Sequence, residues 1–244
     1  GIEAVIWTDA IQSIILTLGA IFVVVLILTG MPEGAGQALT LASEAEKFSL
    51  GDMSLSFASS TVWVMLLYGI FINMTNFGID QNFVQRYHAA DSEKAAGRSV
   101  WMGALLYMPV ALMFFFIGSI LFSYYQAHPA LLEDVRLAKA TKLVAEQSPG
   151  LAKGSQEAVA EAKRLAVAME PTDYNDNVLP HFIAKRIPVG LAGLLIAALF
   201  AAAMSSIDTS LNSSSTIALQ DFYRRWFRPD ATEAESLRFL RIMT

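Results

Sequence analysis

One stretch governs the interpretation of this chain: AAAMSSIDTSLNSSSTIALQDFYRR, which runs from Ala201 to Arg225. It follows PVGLAGLLIAALF at residues 188–200 without interruption, so an apolar segment passes directly into hydroxyl, amide and carboxyl side chains. About 20 mostly apolar residues are enough to cross a bilayer as a helix. The polar part of such a helix either contacts neighbouring helices or binds a solute.

The composition outside this stretch indicates a membrane protein. Of the 244 residues, 55% are hydrophobic and 16% are charged, whereas soluble domains carry roughly 25% charged residues. The formal net charge of −5 gives no indication of a nucleic-acid partner. The chain has no cysteine, which excludes disulfides and Cys-based zinc sites. Because both ends of the sequence fall within helical patterns, we expect a piece of a longer protein.

Four apolar segments predict an all-α integral membrane fold. Charged residues are concentrated in the connections, which disfavours the alternative of buried helices in a large soluble protein. One segment contains Pro109, which a membrane helix tolerates when neighbouring groups satisfy the freed carbonyl. The predicted spans are residues 5–29, 57–83, 100–125 and 188–219.

The distribution of lysine and arginine predicts the orientation of these spans. The connection 30–56 holds a single basic residue, Lys47, among several acids. The connection 85–99 and the segment after the fourth span are basic, so both are predicted to be cytoplasmic and the first connection to be outside. Their basic residues are Arg86, Lys94, Arg98, Arg224, Arg225, Arg228, Arg238 and Arg241.

A long connection, residues 126–180, is predicted outside the membrane. Apolar residues recur in it at helical spacing, which predicts helices over residues 129–147 and 155–169. Their balanced charges are compatible with a solvated spacer and equally with a gating lid.

The serine-rich helix presents an oxygen-lined face. Ala202, Ser205, Ser206 and Thr209 lie three or four residues apart and so share a side, with Asp208 three residues beyond Ser205. Hard cations take oxygen ligands, and transporters bind sodium where backbone carbonyls and side-chain oxygens converge. Small and hydroxylated residues also line ordinary helix contacts, so that alternative stays open.

Two carboxylates fall within predicted spans. Asp9 lies near the cytoplasmic end of the first span, and an ionisable group at such a position indicates a functional site. A cation between Asp9 and the serine-rich face would neutralise it. Three roles are open for Asp208: binding a cation, carrying a proton or facing a water-filled vestibule.

The second span carries amides. Asn73 and Asn76 fall at helical spacing with Asp80, where they either bind a polar solute or join helices. The three histidines, His88, His128 and His181, lie in connections and show no metal-ligand spacing.

Three motifs together resemble the sodium:solute symporter family. They are WTDAIQ at residues 7–12, DQNFVQR at residues 80–86 and GLAGLLIAALFAAAMSSIDTSLNSSST at residues 190–216. The resemblance implies a portion of a five-plus-five inverted-repeat transporter core, with these spans as core helices five to eight. It also implies sodium-coupled symport of a small polar organic solute by alternating access, with no enzymatic activity and no cofactor beyond the coupling ion. The expected location is the cell membrane, as a multi-pass protein of a bacterial inner membrane.

The resemblance assigns two sodium sites. The carbonyl of Ala202 and the hydroxyls of Ser205 and Ser206 would bind the family's general sodium ion, together with a first core helix that lies outside this sequence. A second site in some members matches Asp9, Ser206, Asp208 and Thr209. This chain differs from those members because Asp208 stands where they have a hydroxyl.

The candidate solute ligands are Asn73, Asn76 and Tyr107. Sugar-transporting members share Asn73 but have Tyr at the position of Asn76 and Lys at that of Tyr107, which disfavours a hexose. The stretches TNFGIDQNFVQRY at residues 75–87 and MFFFIGSILFSYY at residues 113–125 look closer to the sialic acid and monocarboxylate branches. Three other functions remain: a sensor input domain on the same fold, a proton-coupled transporter and, least favoured, an intramembrane aspartyl protease.

Overall fold

The computed structural model describes residues 2–88, 90–147 and 154–244, apart from the side chains of residues 2–6 and of Arg86. Arg86 is one of the basic residues predicted to be cytoplasmic, and its side chain is among those that the structure does not describe. Every regular element in these ranges is a helix, which confirms the all-α prediction. The helices are α1 (Ile2–Thr29), α2 (Ala35–Glu44), α3 (Val62–Gly78), α4 (Gln81–His88), α5 (Glu93–Ala127), α6 (Pro129–Gln147), α7 (Gln156–Ala168), α8 (Pro171–Arg186), α9 (Val189–Ile217), a π-helix (Ala218–Phe227) and α10 (Glu233–Met243).

Three helical stretches in the described residues are long and apolar enough to cross a membrane. They are Trp7–Thr29, Glu93–Ala127 and Val189–Phe227. The second of these contains the third predicted span, and the other two overlap most of the first and fourth. The second predicted span, residues 57–83, contains the shorter apolar helix Val62–Gly78. The membrane boundaries and the orientation stay predictions.

The second predicted span is not one continuous helix, because α3 ends at Gly78 and α4 begins at Gln81. Asp80 lies at the joint, where its Oδ1 accepts a hydrogen bond of 2.8 Å from the backbone N–H of Asn82. An Asp side chain that bonds nearby backbone groups competes with the helical ladder and favours a new helix start. Asp80 therefore caps α4, and the expected helical alignment of Asn73, Asn76 and Asp80 is interrupted.

The long connection is largely helical. The helices predicted over residues 129–147 and 155–169 are confirmed as α6 and α7, and the Ser155 hydroxyl caps α7 by accepting a hydrogen bond of 3.2 Å from Ala158 N. The sequence interpretation missed α8, whose first turn carries a capping box between Glu170 and Asp173. It also missed α2 in the preceding connection.

The contacts within the chain separate two units. The first comprises Gly1–Leu16, Ser49–Ala111 and Ala197–Thr244, and the second comprises Thr17–Phe48 and Leu112–Ile196.

The second unit is built on an apolar core. Ile27 of α1, Ile120 of α5, Val135 of α6 and Phe182 of α8 are all fully buried in it. Helix α1 also approaches α9 closely in this unit, since a side chain on Gly19 would collide with Leu195. Burial of apolar surface from α1, α2 and α5 to α9 therefore holds the second unit together.

Aromatic rings form the centre of this core. The Tyr124 ring lies edge-on to Phe182, with centroids 5.2 Å apart, and stacks on His128 at 4.2 Å. Beside it, the Tyr125 hydroxyl shares a hydrogen bond of 2.8 Å with Nδ1 of His181. Arg136 donates a hydrogen bond of 3.0 Å to the Tyr174 hydroxyl.

Candidate cation site

An open cavity of about 390 Å³ lies within the first unit. Three helices supply its walls: α1, α4 and the serine-rich part of α9. The lining residues are Asp9, Gln12, Ser13, Leu16, Asn82, Phe83, Ala202, Ser205, Ser206, Thr209 and Ser210.

The cavity brings together residues that the sequence separates by almost 200 positions. The Ser205 hydroxyl donates a hydrogen bond to Oδ1 of Asp9 and so joins α9 to α1. Ser206 and Thr209 lie on the same wall, and Ala202 completes the predicted set one turn earlier. The structure therefore places five of the six residues predicted for the two sodium sites around one cavity.

The hydroxyls of this wall bond to carbonyls of their own helix. Ser206 Oγ donates to the carbonyl of Ala202 at 3.0 Å, and Thr209 Oγ1 donates to the carbonyl of Ser205 at 2.8 Å. A hydroxyl that donates its hydrogen in this way keeps lone pairs for other partners, whereas each of these two carbonyls accepts both the hydroxyl and its helical N–H. Oxygen atoms with free lone pairs can therefore face the cavity while every hydroxyl hydrogen is satisfied.

The charge of the cavity lining favours a positively charged ligand. Asp9 is the one ionisable residue among the eleven that line the cavity, and none of the eleven is basic. One carboxylate with hydroxyl and carbonyl oxygens suits a hard cation of low charge. In the described part of the chain there is no group of three or more His, Cys, Asp or Glu residues placed to hold a metal ion. The donor set thus fits sodium.

Asp208 does not line the cavity and is exposed. At about 100° per residue, it lies roughly 110° around α9 from the middle of the face formed by Ala202, Ser205, Ser206 and Thr209. The three roles open for Asp208 stay predictions.

The three candidate solute ligands also lie away from the cavity lining. Asn73 donates a hydrogen bond of 2.7 Å to the Gly69 carbonyl of its own helix. Asn76 is half-buried on α3, and Tyr107 on α5 is 70% exposed. The structure does not join these residues into one site, and their role in binding stays a prediction.

Six lining residues were not predicted. Gln12, Ser13 and Leu16 follow Asp9 at intervals of three, four and seven, so helical spacing on α1 could have found them. Ser210 follows Ser206 by four in the same way. Asn82 and Phe83 come from α4, and no spacing rule in the sequence relates that helix to α1 or α9.

Comparison with known proteins gives consistent matches over the whole chain. The model of the sodium:solute symporter family matches residues 1–244. The sodium/sialic acid symporter of Proteus mirabilis (strain HI4320) is 32% identical over 245 residues, which cover 100% of this chain and 42% of the relative. The sodium-dependent multivitamin transporter of Oryctolagus cuniculus is 28% identical, with 99% of this chain and 32% of the relative covered.

A solved structure gives the same result. The substrate-bound outward-open state of a Na+-coupled sialic acid symporter matches with a TM-score of 0.76 and 32% identity, over 100% of this chain and 44% of that one. The chain thus spans less than half the length of the curated relatives it matches.

Proposed function

The chain belongs to the sodium:solute symporter family, and from this premise we propose that it forms part of a transporter that couples sodium entry to uptake of a small polar organic solute. The family is one of transporters rather than enzymes. Because three helical stretches among the described residues are long and apolar enough to span a membrane, the chain is part of a multi-pass membrane protein. A bacterial inner membrane is the proposed location, supported by the bacterial origin of relatives from Proteus mirabilis and Aliivibrio fischeri.

The cavity where Asp9 meets the serine-rich face carries this proposal. Sodium would be held by the carbonyl of Ala202 and the hydroxyls of Ser205 and Ser206. A second sodium ion would use Asp9 and Thr209, whose oxygens lie on the same cavity. Asp208 is left as the exposed carboxylate beside this set rather than one of its ligands.

Each residue has a separate task in this mechanism. The carboxylate of Asp9 supplies the charge that attracts the cation, and its bond to Ser205 keeps α1 and α9 together. The hydroxyls and the carbonyl replace water around the ion without adding charge. A sodium ion bound between these helices would stabilise one conformation and raise the affinity for solute, a reciprocal coupling of typically about 1–3 kcal/mol.

The sodium gradient and membrane potential would drive uptake. Movement of one charge through 100 mV is worth about 2.3 kcal/mol. Alternating access of the cavity to the two sides would convert this energy into solute accumulation.

Sialic acid is the proposed solute, because the sodium/sialic acid symporters of Proteus mirabilis and Aliivibrio fischeri are 32% and 31% identical to this chain. Asn73, Asn76 and Tyr107 are the proposed solute ligands. Other segments would have to complete a binding site around them. Asn76 and Tyr107 differ from the residues of the sugar-transporting branch, which supports an acid rather than a hexose.

Uptake by the full-length protein in proteoliposomes tests the proposal. We expect labelled sialic acid to accumulate under an inward sodium gradient and to stay outside when potassium replaces sodium at constant pH. Accumulation driven by a pH gradient without sodium would instead support proton coupling. Binding of sialic acid without accumulation under any gradient would support the sensor alternative.

A further inference from the structure

Helix α4 is a short element that follows a joint in the chain. It has eight residues and begins after Ile79 and Asp80, where the preceding helix has ended. Ile79 is 77% exposed, and a side chain added at Gly78 would meet no atom within 4 Å. Room around Gly78 therefore allows the joint to bend, and Asp80 caps the start of α4. The Asp80 N–H also donates a hydrogen bond of 3.0 Å to the Thr75 carbonyl, and the Phe77 and Phe83 rings lie 5.3 Å apart, so these are the contacts that a turn of α4 would change.

Four polar side chains join α4 to α9 beyond the cavity, and we refer to Asn82, Gln85, Asn212 and Ser213 as the amide–hydroxyl cluster. Asn212 Nδ2 donates to Gln85 Oε1 at 3.0 Å, and Gln85 Nε2 donates to Ser213 Oγ at 3.1 Å. Ser213 Oγ in turn donates to Asn82 Oδ1 at 2.5 Å. The three bonds run in one direction from Asn212 to Asn82. Gln85 accepts with Oε1 and donates with Nε2, whereas Ser213 accepts and donates with the same Oγ.

The position of the cluster relates it to the cavity. Ser213 is 5% exposed and lies three residues after Ser210, so it continues the cavity-lining face of α9 by one turn. Asn82 belongs to both groups, because it accepts from Ser213 and also lines the cavity with Phe83. The bonds of the cluster therefore determine where the α4 wall of the cavity stands.

The chemistry of the cluster suits a contact that is made and broken. All four side chains are uncharged, so separating them leaves no buried unpaired charge, which is the main penalty for opening an ion pair. Water can replace each neutral hydrogen bond at small net cost. An apolar contact of the same extent would resist opening into water more strongly.

We propose that the amide–hydroxyl cluster is a latch between α4 and α9. When its bonds are made, Asn82 and Phe83 close one side of the cation cavity. When they are broken, α4 turns at the joint after Gly78 and opens that side. This inference rests on the proposed function, since opening and closing of the cavity is a step of transport.

The test uses a reporter cysteine in the cavity of the full-length protein, with any other cysteine replaced. Ser210→Cys keeps the size of a cavity-lining side chain, and this chain has no cysteine of its own. The rate of labelling by a membrane-impermeant maleimide is measured without sodium and without solute. Ser213→Ala removes the central hydroxyl of the latch, and Ser214→Ala, at the exposed neighbouring serine, is the matched control.

We expect Ser213→Ala to raise the labelling rate by roughly two- to tenfold, the population shift given by the loss of one net hydrogen bond. Gln85→Ala should also raise the labelling rate. The double variant should be labelled only slightly faster than the faster single variant, because both substitutions interrupt the same chain of hydrogen bonds. If Ser213→Ala does not insert into the membrane, Gln85→Ala carries the test. If the cluster variants are labelled at the same rate as Ser214→Ala, the cluster is an ordinary helix contact.

A separate measurement distinguishes this outcome from failure of the proposed function. Sodium should protect the reporter cysteine in the parent protein if the cavity binds sodium. Absence of protection would count against the cation site, whereas the comparison of latch and control variants needs no sodium and stands on its own.

Discussion

The two units of this chain are held together by different chemistry. The buried core of the second unit is almost entirely apolar, with Ile27, Ile120, Val135 and Phe182 fully enclosed. In the described part of the first unit, hydroxyls predominate among the buried side chains. Those side chains are Thr61, Ala198, Ser213, Ser215, Leu219 and Ser236.

This difference separates a stable part from a part suited to rearrangement. Burial of apolar surface contributes about 25 cal/mol per Å², and a large side chain such as Phe182 buries much of it. A neutral hydrogen bond contributes only about 0.5–1.5 kcal/mol net. The contacts of the first unit can therefore exchange partners at low cost, and the candidate cation site lies among them.

The largest expected effect breaks the second unit. Phe182→Ala should lower the free energy of unfolding by about 3–5 kcal/mol, because it removes a fully buried ring and leaves a cavity. Thermal unfolding of the purified full-length protein in detergent measures it. Phe115→Ala, at a ring that is 78% exposed in the same unit, is the matched control and should cost far less. Equal losses in the two variants would contradict the assignment of the core.

The next effect alters the first unit without unfolding it. Asp9→Asn keeps the shape of the side chain and removes its charge, so sodium affinity should fall by more than about tenfold, a factor equivalent to about 1.4 kcal/mol. Thermal stability and sodium dependence of uptake are measured on the same variant. Asp208→Asn, at an exposed carboxylate off the cavity, should change sodium affinity far less.

Two results would change this interpretation of Asp9. Loss of stability before any loss of sodium affinity would make Asp9 a structural partner of α9. If Asp9→Asn keeps the thermal stability, sodium affinity and charge-to-solute ratio of the parent protein, Asp9 has no role in the mechanism.

A smaller effect is expected from a single neutral ligand. Ser206→Ala should raise the sodium concentration for half-maximal uptake by several fold, up to about tenfold, because one oxygen ligand to a charge is lost. The amount of inserted protein should not change. Ser214→Ala lies on the same helix outside the cavity lining and serves as the matched control. The same sodium dependence in both variants would return Ser206 to ordinary helix packing.

The smallest effect depends on pH and is confined to the second unit. Burial lowers the pKa of His181 below its ordinary value of 6.5, with Asp134 opposing the shift and Lys185 adding to it. The folded state therefore favours the neutral ring, whose Nδ1 shares a hydrogen bond with the Tyr125 hydroxyl. The stability that it contributes is fully present above pH 6.5 and is lost as the pH falls through the lowered pKa.

Thermal unfolding between about pH 8 and pH 5 measures this contribution. His181→Gln removes the titrating group and should flatten the part of the profile that the parent loses on acidification. Sodium affinity of the parent and of the variant should agree at each pH, because His181 does not line the cation cavity. An unchanged stability profile in His181→Gln would assign the pH dependence to another group.

Several features of this protein were determined by the sequence alone. The helices α6 and α7 and the long apolar parts of α1, α5 and α9 follow from local periodicity and hydrophobicity, which need no distant partner. The oxygen-lined face of α9 follows from helical spacing in the same way. Asp9 was identified because a carboxylate in an apolar helix requires compensation. These predictions rest on properties of one segment at a time.

Other features were decided by the tertiary structure. Helical spacing places Ala202, Ser205 and Ser206 on one face, but only packing brings Asp9 to that face and Asn82 and Phe83 to the cavity. The joint between α3 and α4 depends on the Asp80 side chain accepting a hydrogen bond from the backbone N–H of Asn82. Such a bond differs little in free energy from a continuous helix, so the sequence does not decide between them. A cavity is formed by surfaces from several segments, so its composition depends on which faces meet, and the spacing within any one helix leaves that undetermined.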